Sequence, residues 1–280
     1  MKLSVIVAVQ QPSAAACLES LYAQSTLLEI IVVDGIGLVA EAPAIRLITQ
    51  VGASLPQLLA SGIDAATGDI IAMTEAHVTF PAGWAEAVLS AHEHLSSPVI
   101  GGLVLAGESL SAWDWGLYCV DYAAFMPPLI DGETDVLPGN NLSFKRAVLD
   151  HSQFQEQGFW KTFFCQQLQR EGVMLHLSSQ IVATYQRQIG VMALIQRRWH
   201  HGRCFGGMRP LAPMNRLRLI VLGWALPVLL FVRLLNGIRG KAGAALVIRA
   251  LPSIIVGLAA WSAGEWWGTV FGTGESCRYV

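Results

Sequence analysis

Residues 65–77 read Ala65-Ala66-Thr67-Gly68-Asp69-Ile70-Ile71-Ala72-Met73-Thr74-Glu75-Ala76-His77. The opening residues close a helix running from Leu55 to Thr67, with Leu58, Leu59, Ile63 and Ala66 at helical spacing. Asp69 to Met73 is then a short, mostly apolar run, as expected of a strand covered on both faces. It ends in Thr74-Glu75-Ala76-His77, which sets a carboxylate and an imidazole two residues apart. Working upstream, Leu3 to Val9 and Glu29-Ile30-Ile31-Val32-Val33 are runs of the same kind, and the second ends in Asp34-Gly35. Between them Pro12-Ser13 opens a helical stretch with Ala16, Leu18, Leu21 and Tyr22, and Ile45-Arg46-Leu47-Ile48 forms a further strand. Strand, helix, strand, strand, helix, strand is the rhythm of a mostly parallel α/β sheet with helices on both faces. Ligands of such sheets bind at the carboxyl ends of the strands, where Asp34, Glu75 and His77 fall.

Downstream, Pro81-Ala82-Gly83-Trp84 begins a helix to about His94, and Val99 to Leu105 reads as a fifth strand. The segment from Ser111 to Pro128 is aromatic-rich, with Trp113, Trp115, Tyr118, Tyr122 and Phe125. Gly139-Asn140-Asn141 is a polar turn leading into Leu142-Ser143-Phe144-Lys145-Arg146. A helix from about Trp160 to Arg170, a strand near Val173 to Leu177 and a basic helix from Val191 to Gly202 follow.

The chain has 280 residues, 53% hydrophobic and 14% charged, so part of it is expected to meet lipid. Leu219 to Val232 and Ala250 to Gly264 carry no charge; each is short of a comfortable span and holds a proline, Pro227 or Pro252. Two short transmembrane helices in a hairpin are expected, with an interfacial or re-entrant pair as the rival. Arg233, Arg239, Lys241 and Arg249 in the connecting loop run against the positive-inside tendency. Trp224, Trp261, Trp266 and Trp267 suit a membrane interface. The cluster Arg197, Arg198, Arg203, Arg209, Arg216 and Arg218 suits lipid headgroups or phosphates. A net charge of −2 gives no reason to expect nucleic acid as a partner. Five scattered cysteines without paired spacing argue against a disulfide framework and for a reducing compartment. The N-terminal run is too short and too polar for a signal peptide, so a mature, cytoplasmic N-terminus is expected.

The order of these elements resembles the family 2 glycosyltransferases. Four landmarks carry the likeness: Val5-Ile6-Val7-Ala8-Val9-Gln10; Ile30-Ile31-Val32-Val33-Asp34; Ala65 to Ala72 before Glu75-Ala76-His77; and Gly139-Asn140-Asn141-Leu142-Ser143-Phe144. Pro81-Ala82-Gly83-Trp84 is a fifth point of likeness, and the whole covers about residues 3–205. The resemblance implies a Rossmann-like nucleotide-sugar transferase sheet at 1–205; the charge and hydropathy pattern beyond it gives a basic linker at 206–216 and a membrane-associated helical hairpin at 217–280. It implies a nucleotide-diphosphate sugar donor, transfer with inversion, and a lipid-linked or membrane-proximal acceptor. The catalytic domain is expected to face the cytoplasm at the inner membrane.

The family's metal-binding DxD turn reads Glu75-Ala76-His77 here. Alternate residues of an extended turn project the same way, so both side chains can face one divalent cation, Mn²⁺ suiting the imidazole better than Mg²⁺. His200 or His201 could complete that site. Asp34 corresponds to the aspartate that contacts the donor nucleotide; its rival role is a turn aspartate bonding its own backbone before Gly35. Gln10 and Arg198 are further nucleotide contacts, and Asn140, Asn141, Trp160 and Trp199 are sugar or acceptor contacts. Lys161 stands where the family's general base is expected, and a protonated lysine cannot deprotonate the acceptor. Glu156, or Asp135 with Asp131 and Glu133 in the preceding loop, are the substitutes. The QxxRW signature of processive members is misplaced in Gln196-Arg197-Arg198-Trp199. These departures sustain a second reading, a catalytically inactive relative acting as a structural or binding subunit with protein partners in a membrane assembly.

Overall fold

The computed structural model describes residues 1–12, 14–149, 154 and 158–280. The chain forms two compact units, 1–107 with 127–186 and 108–126 with 187–280.

The first unit is built on β1 (Leu3–Val9), β2 (Leu28–Asp34), β3 (Ile45–Thr49) and β4 (Ile70–Glu75), which lie parallel in the order β3-β2-β1-β4. The apolar runs behave as their composition requires. Alternate residues turn to opposite faces, so Ile6, Ala8, Ile31, Val33, Ile71 and Met73 meet α2 (Leu55–Ala65) and α5 (Lys161–Arg170). Val5, Val7, Val9, Ile30, Val32 and Ala72 meet α1 (Ala15–Tyr22) and α3 (Trp84–His94) on the other face. Helix α2 starts where local chemistry dictates, at a capping box in which Gln57 Oε1 accepts from the Ser54 backbone N–H at 2.9 Å.

Beyond β4 the sheet becomes mixed. The short β5 (Val78–Thr79), β6 (Val99–Ala106), β7 (Gly132–Thr134), β8 (Leu142–Lys145) and β9 (Leu175–Tyr185) complete it. Strand β8 inserts antiparallel between β4 and β6. Strand β9 runs much further than the few residues the sequence suggests, pairing parallel with β6 across a bulge at Gly102/Leu103. Gly102 is required there: a Cβ on it would lie 2.0 Å from the Ile181 carbonyl oxygen and 2.6 Å from Asn141 Nδ2.

The second unit is helical: α4 (Ala112–Tyr122), α6 (Val191–Met208), α7 (Pro213–Leu222), α8 (Leu226–Ile238) and α9 (Ala244–Phe271). Both the aromatic segment and the basic helix therefore leave the unit in which the sequence placed them. The stretch 206–216, expected as a linker, holds the last residues of α6, a short connection at 209–212 and the first residues of α7. Among the described residues two stretches are long and apolar enough to cross a membrane, Pro213–Ile238 with 26 residues and Ala244–Phe271 with 28. They exceed the short helices expected because flanking charged residues continue the helices beyond each uncharged core. Pro227 sits in the first turn of α8, where a missing N–H costs nothing, while Pro252 lies inside α9. Trp224 is 78% exposed, whereas Trp266 and Trp261 donate inward, to the Ile220 carbonyl and to Glu265, both at 2.9 Å.

Helices α6 and α9 meet backbone to backbone. A Cβ on Gly202, Gly206, Gly264 or Gly268 would approach a carbonyl oxygen of the facing helix to 2.2, 2.2, 2.3 or 2.0 Å. Four glycines spaced in pairs of four along the two helices thus form one seam, the small-residue geometry of close helix packing. A disulfide joins Cys204 of α6 to Cys277 beyond α9. This corrects the expectation drawn from the scattered cysteines, although Cys17, Cys119 and Cys165 are free and buried; spacing in sequence cannot reveal a pair 73 residues apart.

Replacing Gly268 by Ala should lower stability by about 2 kcal/mol through forced separation of the seam. Gly237→Ala, where the new methyl meets nothing closer than 3.6 Å, should be neutral or mildly stabilising. Thermal unfolding of both variants in the same detergent makes the comparison, and equal effects would count against the seam.

Candidate functional site

The carboxyl end of β4 is held by register: Ala8 of β1 lies opposite Glu75, and Met73 lies opposite Leu142 of β8. The chain then turns through Ala76 and His77, whose carbonyl accepts from Gln186 N–H at 2.9 Å, into β5 against β9. Glu75 and His77 do come together, with Glu75 Oε2 3.8 Å from His77 Nδ1, and both residues are buried. The second carboxylate oxygen is engaged elsewhere. Glu75 Oε1 lies 3.6 Å from Lys161 Nζ, and the same ammonium donates to the Gly139 carbonyl. One cation thus gathers three segments: the end of β4, the turn before β8 and the first residue of α5.

Lys161 is unusual for its place. It opens α5, whose first turn contains no acidic residue and whose N-cap, Trp160, has no side-chain oxygen to offer. Positive charge at a helix N-terminus is opposed by the macrodipole, so the Glu75 carboxylate offsets both. Beside it, Asn140 is wholly buried with neither its side-chain oxygen nor its nitrogen hydrogen-bonded, and buried Thr74 Oγ1 also has no partner. Buried polar atoms without partners are uncommon in native proteins. Of the two, the Asn140 amide follows Gly139 and marks this corner out, whereas Thr74 turns to the opposite face of the sheet from Glu75.

The neighbouring predicted contacts have different fates. Asn141 is a bolt within the sheet: its Oδ1 accepts from Trp84 Nε1 at 3.1 Å, and its Nδ2 donates to the Leu103 and Ile181 carbonyls at 2.9 and 3.0 Å. Three of its four hydrogen-bonding positions are filled inside, which gives it a structural role in the sheet. Asp34 is likewise buried, with Oδ1 accepting from Ile36 and Gly37 N–H, each at 2.9 Å, and Oδ2 from Val39 N–H at 2.7 Å. Burial raises its carboxyl pKa, but the backbone donors outweigh this and hold it below the ordinary carboxylate value. Of its two sequence roles, the turn aspartate is the one on display. Gln10 is exposed at the end of β1.

No family model matches the chain, and no curated protein matches its sequence. Solved structures do. A mannosyltransferase from Pyrobaculum calidifontis, PcManGT, in complex with GDP-Man and Mn²⁺, superposes over 95% of this chain and 87% of its own, with a TM-score of 0.56 at 18% identity. S. aureus TarS 1-349, in complex with UDP-GlcNAc, covers 95% of this chain and 90% of its own, with a TM-score of 0.52 at 12% identity. GalNAc-T7, with UDP, GalNAc and Mn²⁺, covers 67% of this chain and 44% of its own, with a TM-score of 0.50 at 11% identity. The chain shares its fold with these glycosyltransferases.

Within this glycosyltransferase fold the expected divalent cation can be tested against the residues present. Glu75 and His77 supply two ligands, and among the described residues no group of three His, Cys, Asp or Glu converges. A cation bound to the Glu75 carboxylate would also stand close to the Lys161 ammonium. As placed, these residues do not fit a divalent cation. His200 and His201 belong to the second unit, where His200 Nδ1 lies 3.1 Å from Ser276 Oγ and its ring packs 4.7 Å from Tyr279, while His201 lies 6.2 Å from Trp261. Burial, aided by Arg203, pushes the His200 pKa down.

Arg198 and Trp199 are also spoken for. The Arg198 guanidinium bonds Asp121 at 2.5 Å and stacks on Trp261 at 4.5 Å, which makes it one half of an internal ion pair. The Trp199 carbonyl abuts Gly264 in the helix seam, and its ring lies 6.1 Å from Trp267. Trp160 is half-buried, 6.3 Å from the Phe163 ring. Of the base candidates, Asp131 accepts from Ser179 N–H at 2.7 Å, and exposed Asp135 lies beside Gln169 at 3.5 Å. Gln169 is eight residues beyond Lys161, about 12 Å along α5, which separates Asp135 from the Glu75 corner. Glu156 lies outside the described residues. The one functional candidate that the sequence noticed only as a misfit is Lys161; its signal is a lysine opening a helix whose first turn has no acid.

Asn141→Ala should cost about 3 kcal/mol, because it strands the Trp84 N–H and two carbonyls in the interior. Chemical denaturation measures this. A variant with unchanged stability but weakened substrate affinity would restore the sugar-contact role.

Proposed function

We propose that the chain is a membrane-anchored, inverting glycosyltransferase of the family 2 type, moving a hexosyl group from a nucleotide-diphosphate sugar to a lipid-linked or membrane-proximal acceptor. The observation that carries the reading is the corner where Glu75, Lys161 and the Gly139 turn meet at the carboxyl end of β4, in a fold whose solved neighbours bind GDP-Man, UDP-GlcNAc or UDP. Such a strand end is where an α/β sheet receives its ligand. In the transfer, the acceptor hydroxyl oxygen bonds to the sugar's anomeric carbon as the bond to the diphosphate breaks, and a base takes the hydroxyl proton. Glu156, five residues before Lys161, is the proposed base, since Asp135 is about 12 Å along α5 from that lysine. The stretches Pro213–Ile238 and Ala244–Phe271 are proposed to hold the protein in the inner membrane, with the sheet unit toward the cytoplasm. Retention near the bilayer would favour an acceptor that is itself membrane-bound.

The inactive-subunit reading draws on a specific observation, that Asn141, Asp34 and Arg198 are all consumed by internal bonds. Turnover separates the two. Full-length protein in detergent, offered UDP- and GDP-sugars with a polyisoprenyl phosphate acceptor, should release nucleoside diphosphate with one donor. Glu156→Gln should cut that rate about a hundredfold, whereas Asp135→Asn should leave it within a few-fold. Donor binding without turnover under every acceptor tested would favour the inactive subunit.

The membrane assignment has its own check. The full chain should remain in the pellet after alkaline carbonate washing of membranes, and release into the supernatant would refute the anchor.

A further inference from the structure

Resting on the transferase reading, we infer that Lys161 is a built-in counter-ion for the donor diphosphate and takes the place that a divalent cation holds in metal-dependent transferases. Three observations converge. First, the Lys161 ammonium stands 3.6 Å from Glu75 Oε1, on the carboxylate a metal would need, and among the described residues no third ligand joins Glu75 and the His77 imidazole. Secondly, Lys161 is the first residue of a ten-residue helix with no acid in its first turn, so the fixed charge and the positive end of the helix dipole add rather than cancel. Thirdly, the adjoining Asn140 amide is fully buried with neither polar atom hydrogen-bonded, although an amide offers two donors that phosphate oxygens accept.

The ion pair explains how the lysine is kept ready. Glu75 compensates the ammonium while no anion is present, and the bond to the Gly139 carbonyl fixes its direction. An arriving diphosphate shares the ammonium with Glu75. As the glycosidic bond breaks, the charge growing on the departing phosphate falls on a donor already in place, the electrostatic service that preorganised cations supply. Because Glu75 itself repels the diphosphate, removing its charge should strengthen anion binding. A metal site predicts the reverse.

The test measures binding of UDP and GDP to the full-length protein in detergent by calorimetry, in EDTA and again with MnCl₂. Wild type should bind one of them in EDTA, with less than about a twofold change on adding Mn²⁺. Lys161→Gln should weaken that binding ten- to a hundredfold, as expected for loss of one charge-assisted contact, and Lys161→Arg should largely restore it. Glu75→Gln should bind as tightly as wild type or several-fold tighter, which keeps the test decisive even if Lys161→Gln unfolds. Binding that needs Mn²⁺ and is lost in Glu75→Gln would overturn the lysine's role and leave the transferase reading standing. Failure to bind either nucleotide in either condition, with no transfer from any donor sugar, would remove both.

Discussion

A carboxylate buried at the end of a strand has to be neutralised, and much of the candidate site follows from how Glu75 is. An unpaired charge with so little solvent would cost several kcal/mol, so the fold brings the Lys161 ammonium to 3.6 Å, with the His77 imidazole 3.8 Å away on the other oxygen. Meeting that demand ties the start of α5 to the parallel half of the sheet. Through the Gly139 carbonyl it also positions the turn that leads into β8. The site is therefore assembled by the same electrostatic requirement that joins the two halves of the sheet unit.

The parallel half was legible because each of its strands is buried on both faces and carries its own apolar run. Leu3 to Val9, Ile30 to Val33 and Ile70 to Met73 announce themselves without reference to partners, and Ser54 with Gln57 marks where α2 starts. The mixed half was not. Strand β8 has four residues and could pair in either direction, and the bulge that lets β9 run on to Tyr185 depends on Gly102 meeting Ile181 and Asn141. Long-range partners of this kind leave no periodic trace.

Among the site residues the same division holds. That Glu75 and His77 would share a strand end could be read from two-residue spacing, a local property. Whether Asn141, Asp34 and Arg198 had capacity left for a ligand was a question of partners dozens of residues away: Trp84 and Ile181 for Asn141, Asp121 and Trp261 for Arg198. Only Asp34 was decidable locally, since its rival role as a turn aspartate needs no partner beyond Val39. The glycines of the α6–α9 seam show the limit clearly. Gly202 and Gly206 repeat every four residues, as do Gly264 and Gly268, yet nothing in either pair names the other.

That seam changes what the C-terminal region is. Read along the sequence, residues 217–280 look like a removable anchor behind a complete soluble domain. In the structure α6 has no side chains at Gly202 and Gly206 with which to cover itself, Arg198 relies on Trp261 for its stacking, and Cys204 is bonded to Cys277. Cutting at 217 would expose a bare helix backbone face and leave the buried Arg198 with Asp121 but without its aromatic cover. The segment 108–126 adds a second thread, because it interrupts the sheet unit in sequence yet packs with the helical one. Neither unit is a terminal piece that can be trimmed away, so the long apolar helices are part of the folded body of the second unit rather than an accessory to it.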